Sequence, residues 1–244
     1  MRKIVMTSLL LLTGLVAFGQ DTLRVGHQFK AFKSLERGTQ RDIIYTSING
    51  KVRSVGMKIR STTDTIIDGK AYVLIKHQWE MGDPKQNVSF EALCEAETMR
   101  PIQHIRSSQR AGKEAFRFLG NEIVALDTAS DNSQAEFSLP LEEGTYNWEI
   151  DLETYGLIPM RKGYEAVMNF YHAGGSTPPA FYSLKVESSE KVELPDGSTL
   201  DCWVLFTDYR GTQPSRFWYT KKGQNFVKME GRYNQLTIHK VRIF

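Results

Sequence analysis

The groups that could do chemistry in this chain are five histidines (His27, His77, His104, His172 and His239), two cysteines (Cys94 and Cys202) and scattered carboxylates. No two histidines have the i, i+4 spacing that sets a pair of zinc ligands on one helix face, and no Cys-x-x-Cys pair is present. A G-x-S-x-G turn is absent too, together with the strand–helix alternation that would expose its serine. Ser188-Ser189-Glu190-Lys191 fits S-x-x-K, but that pairing needs a helical turn to bring lysine beside serine, and these residues sit at a strand end. Gly174-Gly175 runs into Pro178 and not into a helix, so it cradles no phosphate. Cys94 and Cys202 occupy apolar positions of strand-like runs, where a thiol is inert. Glu142-Glu143, and Glu149 with Asp151, read as solvated or helix-capping charges. We therefore assign no catalytic residue and no metal ligand, and the sequence implies no cofactor.

Aromatic side chains are the better candidates for a site. Four Trp join 13 Phe and 10 Tyr. A curved sheet that leaves an aromatic-lined groove can hold a small apolar ligand. The residues placed to line such a groove are Trp148, Tyr155, Phe170, Trp203 and Trp218. Trp203 and Trp218 lie in runs that are aromatic or apolar on both faces, as strands covered on two sides are.

The elements that would position these side chains are strands. Asn49-Gly50 and Asp68-Gly69 each separate β-rich runs, and both dipeptides suit a two-residue type I′ turn. Gly120-Asn121, Asp196-Gly197 and Gly223-Gln224 repeat the signal. Between turns the pattern alternates. Val55, Met57 and Ile59 oppose Ser54, Lys58 and Arg60; Tyr182, Leu184 and Val186 oppose Ser183, Lys185 and Glu187; Tyr164, Ala166, Met168 and Phe170 oppose Glu165 and Asn169. This predicts antiparallel sheet with the apolar row of each strand buried. Val73–Ile75 and Leu200–Phe206 read as central strands. His77 shares the face of Val73, Ile75 and Trp79, as a core histidine would.

One stretch departs from period two. Trp148, Leu152 and Tyr155 recur at helical spacing after a capping Asn147, and Gly156 and Pro159 end the pattern. A short amphipathic helix over 148–156 is expected to dock on the apolar face, anchored by Trp148. The predicted fold is mainly β: an antiparallel meander forming a curved sheet or partly open barrel, with that helix packed on it. Loops are expected at 81–86 and 172–179.

The composition is that of a globular chain: 244 residues, 41% hydrophobic and 24% charged. The formal charge is +3 and no run of five like charges occurs, which excludes a nucleic-acid footprint. Residues 1–19 carry Arg2 and Lys3, an apolar run from Ile4 to Val16, and small residues at Ala17 and Gly19. That is the layout of a cleaved signal peptide, and no lipoprotein cysteine follows it. The run is too short to span a bilayer, and no later run reaches 18 apolar residues, so the mature chain is expected to lack an integral membrane segment. Removing the two cations leaves about +1 on residues 20–244, expected to be one antiparallel β domain in the periplasm or secreted. Export permits a Cys94–Cys202 disulfide; two buried free thiols are the other reading. Asp-Thr-aliphatic triplets at Thr22, Thr65 and Thr128 resemble O-glycosylation acceptors of exported Bacteroidetes proteins.

Several segments also run in the order seen in a family of exported bacterial proteins known only as a domain of unknown function (number three thousand one hundred and eight). Asp151-Leu152-Glu153 to Ile158-Pro159 leads into Lys162-Gly163, followed by Val192-Glu193-Leu194-Pro195-Asp196-Gly197 and Asp201-Cys202-Trp203-Val204. Phe217-Trp218-Tyr219-Thr220-Lys221-Lys222 and Val227-Lys228-Met229-Glu230 close the series, and Glu97-Thr98-Met99-Arg100-Pro101 fits upstream. The chain resembles that family over most of residues 20–244. The resemblance implies a partly open barrel similar to periplasmic lipoprotein carriers, which hold acyl chains in a groove, and it supplies no catalytic residue.

Three function classes follow. The first is a non-catalytic envelope protein holding a lipid, lipidated chain or other apolar ligand in the groove. The second is a structural or interaction module with an envelope protein partner. The third is a hydrolase with a site outside known motifs, which would need a His beside a Ser, Cys or carboxylate in a cleft. A helix packed flush against the sheet would favour the second class over the first.

Overall fold

The computed structural model describes residues 20–244, so the expected signal segment lies outside the described residues. Sixteen strands make one sheet. In chain order they are β1 (Asp21–Leu23), β2 (Gly38–Ile48), β3 (Lys51–Ile67), β4 (Lys70–Met81), β5 (Val88–Glu95), β6 (Pro101–Ser108), β7 (Gly112–Phe118) and β8 (Glu122–Ala125). They continue as β9 (Ser138–Pro140), β10 (Tyr146–Asn147), β11 (Glu165–Tyr171), β12 (Ala180–Glu193), β13 (Thr199–Asp208), β14 (Pro214–Thr220), β15 (Phe226–Tyr233) and β16 (Leu236–Ile243). A five-residue helix, α1 (Asp151–Tyr155), follows a single 3-10 turn at Trp148–Ile150.

Two meanders share the sheet. One runs from β2 to β9 and the other from β11 to β16, and they join where β16 pairs antiparallel with β2, Ile243 opposite Arg41 and Leu236 opposite Ile48. The path then runs from β1 and β11 at one end to β9 at the other without a closing ladder, so the curved sheet is open. Among the strands described, β1 and β10 pair in parallel, both with β11. Near the seam the two ends meet through side chains: Phe116, Phe118 and Ile123 pack with Tyr171 and Ala173.

The turns follow local chemistry. At β2–β3, Asn49 and Gly50 have φ of 51° and 74°; at β3–β4, Asp68 and Gly69 have 50° and 75°. Positive φ at both central positions defines the type I′ turn that matches strand twist, and Asn, Asp and Gly tolerate it best.

Period two is also realised, but one strand is turned over. Along β11, with Tyr164 just before it, and β12 the rows Tyr164, Ala166, Met168, Phe170 and Tyr182, Leu184, Val186 are buried as the alternation predicts, but Asn169 on the opposite row of β11 is buried as well. On β3 the buried row is Lys58, Arg60 and Thr62, whereas Val55 is 52% exposed and Met57 and Ile59 are only half-buried. The expectation that β3 buries its apolar row is thus corrected. Arg60 faces α1, where Glu153 pairs with the buried cation, and Lys58 shares that face of β3.

The two cysteines are free and buried on β5 and β13. Burial pushes both thiols up, that of Cys202 to about 11. No helix among the described residues is long and apolar enough to cross a membrane.

Candidate functional site

The candidate site is the face of the sheet that α1 covers. The Asn147 side chain caps the turn by accepting the Glu149 amide hydrogen at 3.1 Å, leaving one fewer unpaired amide at the start. Five residues of helix are marginal alone, and here Asp151 to Ile158 are buried without a break. Tyr219 donates its hydroxyl hydrogen to the Leu152 carbonyl at 2.9 Å, and the Gln224 amide donates to the Gly156 and Ile158 carbonyls at 2.6 and 3.0 Å. The Leu152 and Gly156 carbonyls are among the groups a helix end leaves open. At Gly156 the fit is close: a Cβ there would stand 3.1 Å from the Gln224 carbonyl oxygen and 3.4 Å from the Tyr219 ring.

Towards β11–β14 the helix meets an apolar wall. The Tyr155 ring lies 5.6 Å from Phe170 and 5.3 Å from Phe217, both edge-on. Trp148 lies 5.7 Å from Phe170, 4.7 Å from Tyr182 and 4.6 Å from Tyr209. Three of the predicted lining residues, Trp148, Tyr155 and Phe170, are therefore together, and Trp203 packs at the edge of the same cluster. Trp218 is elsewhere: it sits in a separate cluster with Val192, Cys202, Val204 and Val227 and donates its indole N–H to Glu190. Trp148, the expected anchor, is only half-buried, whereas Ile150, Leu152 and Tyr155 are fully buried.

Towards β2–β6 the wall is charged. Arg60 grips Asp42 through Nε at 2.7 Å and Nη2 at 3.3 Å, and reaches Glu153 of α1 through Nη1 at 2.9 Å. His77 Nε2 is 3.2 Å from the same Glu153 oxygen. Burial lowers the His77 pKa, while its Nδ1 is buried without a partner. Burial would push Glu153 up, but His77, Arg60 and Lys58 together hold it well below the carboxylate range. Burial disfavours the Arg60 cation as well, yet Glu153 and Asp42 raise its pKa further. Sequence spacing did not reveal this network, because its members come from β2, β3, β4 and α1. Arg60 belongs to the polar row of its strand, which alternation assigns to solvent, so no local signal pointed to the network.

Beneath the helix the remaining space is a cavity of about 30 Å³, bordered by Arg60, Leu152, Glu153, Gly156, Tyr219 and Gln224. That holds about one or two waters, against several hundred Å³ for an organic ligand. A larger cleft of about 360 Å³ lies at the open seam, between Leu139, Leu141, Asn169, Pro179 and Phe181.

The other histidines make separate contacts. His104 stacks on Phe90 and Phe116 and pairs through Nδ1 with Asn147 at 3.2 Å. His172 meets Glu149 at 3.1 Å on the exposed rim. His239 approaches Ser47 at 3.3 Å while stacked on Tyr45, with no carboxylate bonded to its ring among the described residues. No group of His, Cys, Asp and Glu able to hold a metal occurs among the described residues.

No curated protein matches this chain. Among solved structures, a β-barrel-like protein of domain of unknown function DUF1849 from Brucella abortus aligns at 10% identity over 85% of this chain and 97% of its own, with a TM-score of 0.47. A putative lipoprotein from Parabacteroides distasonis ATCC 8503 aligns at 12% identity over 91% and 98%, with a TM-score of 0.31. The family described as "Protein of unknown function (DUF3108)" matches residues 51–239, from β3 through to β16, and the chain belongs to it.

Proposed function

We propose that this is a non-catalytic protein of the bacterial cell envelope that works as an interaction module, docking the outer face of β16, β2 and β3 on an envelope protein partner. The observation that carries the reading is the overturned β3. With Lys58 and Arg60 inside, an apolar row is left on the outside. Ile43, Val55 and Ile243 are 40%, 52% and 44% exposed. Strand register places them beside Met57, Ile59, Tyr45 and Val241, which are half-buried. A contiguous apolar patch of this kind on a water-facing sheet marks a binding surface. Arg41 lies between Ile243 and Ile59 in the register and Arg53 lies towards the β2–β3 turn, both exposed and without an ion pair among the described residues; Glu80 on the β4 side bonds with Gln78 at 2.8 Å. A partner that complements this face is apolar at its centre and acidic at its rim. The space under α1 is filled, which also favours this reading over a ligand groove there.

The test is a photo-crosslinking side chain placed at Val55 and, as a control, at Glu187 on another outer strand, in cells that express the protein. One discrete adduct at Val55, absent at Glu187 and lost when Ile43→Ser is added, supports the reading. No adduct at Val55, or equal adducts at both positions, refutes it.

A second reading keeps the apolar or amphiphilic ligand, a lipid or lipidated chain, now at the seam. It is favoured by the cleft of about 360 Å³ lined by Leu139, Leu141, Pro179 and Phe181. An apolar dye that brightens with folded protein, and less so with Leu141→Ser, would support it. A dye response unaffected by that change would remove it.

A further inference from the structure

Charge on the helix-covered face is unevenly partnered. Arg60 takes both carboxylates that reach into the charged half, Asp42 and Glu153. Lys58 stands two residues earlier on the same face of β3 and is only 1% exposed. Among the described residues no carboxylate comes within ion-pair distance of it; Glu153 and Asp151 act on it only at longer range. Its ammonium lies 5.4 Å from the centre of the Trp79 ring, the residue opposite it on β4. A second ammonium, that of Lys240 on β16, lies 5.7 Å from the centre of the same ring. Lys240 also has no ion pair among the described residues. The Trp79 Nε1–H is buried and has no acceptor.

Both ammoniums therefore rest on one ring, and neither they nor its buried N–H has an oxygen acceptor among the described residues. Burying a cation without an acid is costly, and two cations near one ring repel. Burial first, and Lys240 second, lower the Lys58 pKa to about 8. The end of the sheet here is reachable. Trp79 is two residue pairs from the end of the β3–β4 ladder and in the last pair of the β4–β5 ladder, and a hollow of about 500 Å³ bordered by Trp79, Pro84, Asn87, Val88 and Ser108 opens on its β5 side. Phe90, 6.1 Å from Trp79, gives the indole an aromatic neighbour.

We propose that Lys58, Lys240 and the Trp79 indole N–H form an anion-binding site that takes a phosphate or carboxylate group, free in solution or as the headgroup of an amphiphile. An oxyanion would satisfy all three donors and replace the repulsion between the two ammoniums by two charge-assisted hydrogen bonds. This site lies on the opposite face of the sheet from the docking surface above, and it stands or falls separately from it.

The experiment titrates the protein with inorganic phosphate, with dodecyl phosphate below its micellar concentration, and with dodecyl maltoside as the neutral control. Tryptophan fluorescence and calorimetry are the readouts. Saturable binding of a phosphate compound is expected, weakened about tenfold or more by Lys240→Gln and by Lys58→Met, since a hydrogen bond to a charged group is worth about 1.5–3 kcal/mol. Trp79→Phe should remove the fluorescence change. Binding of both phosphate compounds with equal affinity assigns the site to a free anion. Binding of dodecyl phosphate alone, weakened by the lysine substitutions, assigns it to a headgroup. Lys240→Gln is half-buried and leaves the Arg60 network untouched, so it remains informative should Lys58→Met perturb folding. No saturable binding of either phosphate compound, binding indifferent to Lys240→Gln, or equal binding of dodecyl maltoside would overturn the proposal.

Discussion

The two walls that α1 touches solve one problem in opposite ways. On β11–β14 the helix buries Leu152 and Tyr155 against Phe170, Phe217 and Leu184, and water exclusion alone favours the contact. On β2–β4 the same helix turn buries Glu153 against Arg60, Asp42 and His77, where the cost of removing charge from water is offset only if every partner is present. Apolar contacts degrade gradually as atoms are removed. A buried ion network fails as a unit. The comparison also bears on uniqueness: an apolar wall would accept a helix shifted by some ångströms, but a guanidinium shared between two carboxylates fixes where α1 stops.

The largest effects should separate the walls. Phe170→Ala is expected to cost about 3–5 kcal/mol by cavity formation, and Arg60→Met a similar amount by stranding Asp42 and Glu153. The difference lies in rescue. Adding Asp42→Leu and Glu153→Leu to Arg60→Met should recover much of the loss in urea unfolding, whereas no second deletion recovers Phe170→Ala. A triple variant less stable than Arg60→Met would break the distinction.

Acid should act on the polar side of the molecule next. Burial depresses the His104 pKa to about 4, so in the folded state the ring stays neutral while the unfolded chain takes up a proton near 6.5. Stability is therefore full above about pH 6.5 and falls as pH drops towards 4, by an amount of order 3 kcal/mol. Burial opposes ionisation of Glu149, but His172, His104 and Arg106 hold its pKa at about 2. A depressed carboxylate contributes above its unfolded value and loses that contribution from about 4.5 downward, so the decline continues. His104→Phe keeps the stack between Phe90 and Phe116 and should flatten the limb from 6.5 to 4 in pH-dependent urea midpoints. An unchanged limb would assign it to other groups.

Tyr219→Phe removes only the hydrogen bond to the Leu152 carbonyl and should cost about 1 kcal/mol. The smallest effect is expected outside. Val55→Ser should change stability by no more than about 0.5 kcal/mol, because that side chain already faces water. A loss comparable to Phe170→Ala would mean that β3 buries its apolar row after all.

Much of the fold was legible. Asn49-Gly50 and Asp68-Gly69 specify their turns because positive φ is a property of two residues and their backbone. Asn147 and the spacing of Leu152 and Tyr155 announced the helix for the same local reason. On β11 and β12 alternation identified both the strand and its buried face. On β3 it identified only the strand, because two rows that alternate cannot say which of them will find partners. The site was less legible. Phe170 and Tyr155 were found because apolar periodicity points to the core, but Trp218 belongs to another cluster, and Glu153, Arg60 and Asp42 could not be connected across 93 and 18 positions of sequence.

By itself the sequence determined where the chain turns, which segments extend and that helical winding follows Asn147, since each depends on neighbours within a few residues, although Trp148–Ile150 form a 3-10 turn and α1 starts at Asp151. Tertiary structure alone decided that β16 lies beside β2, that Lys58 and Arg60 face inward, and that α1 fills the space it covers. Those outcomes depend on whether a charge or an apolar face meets its complement, and the complement is brought by a distant part of the chain.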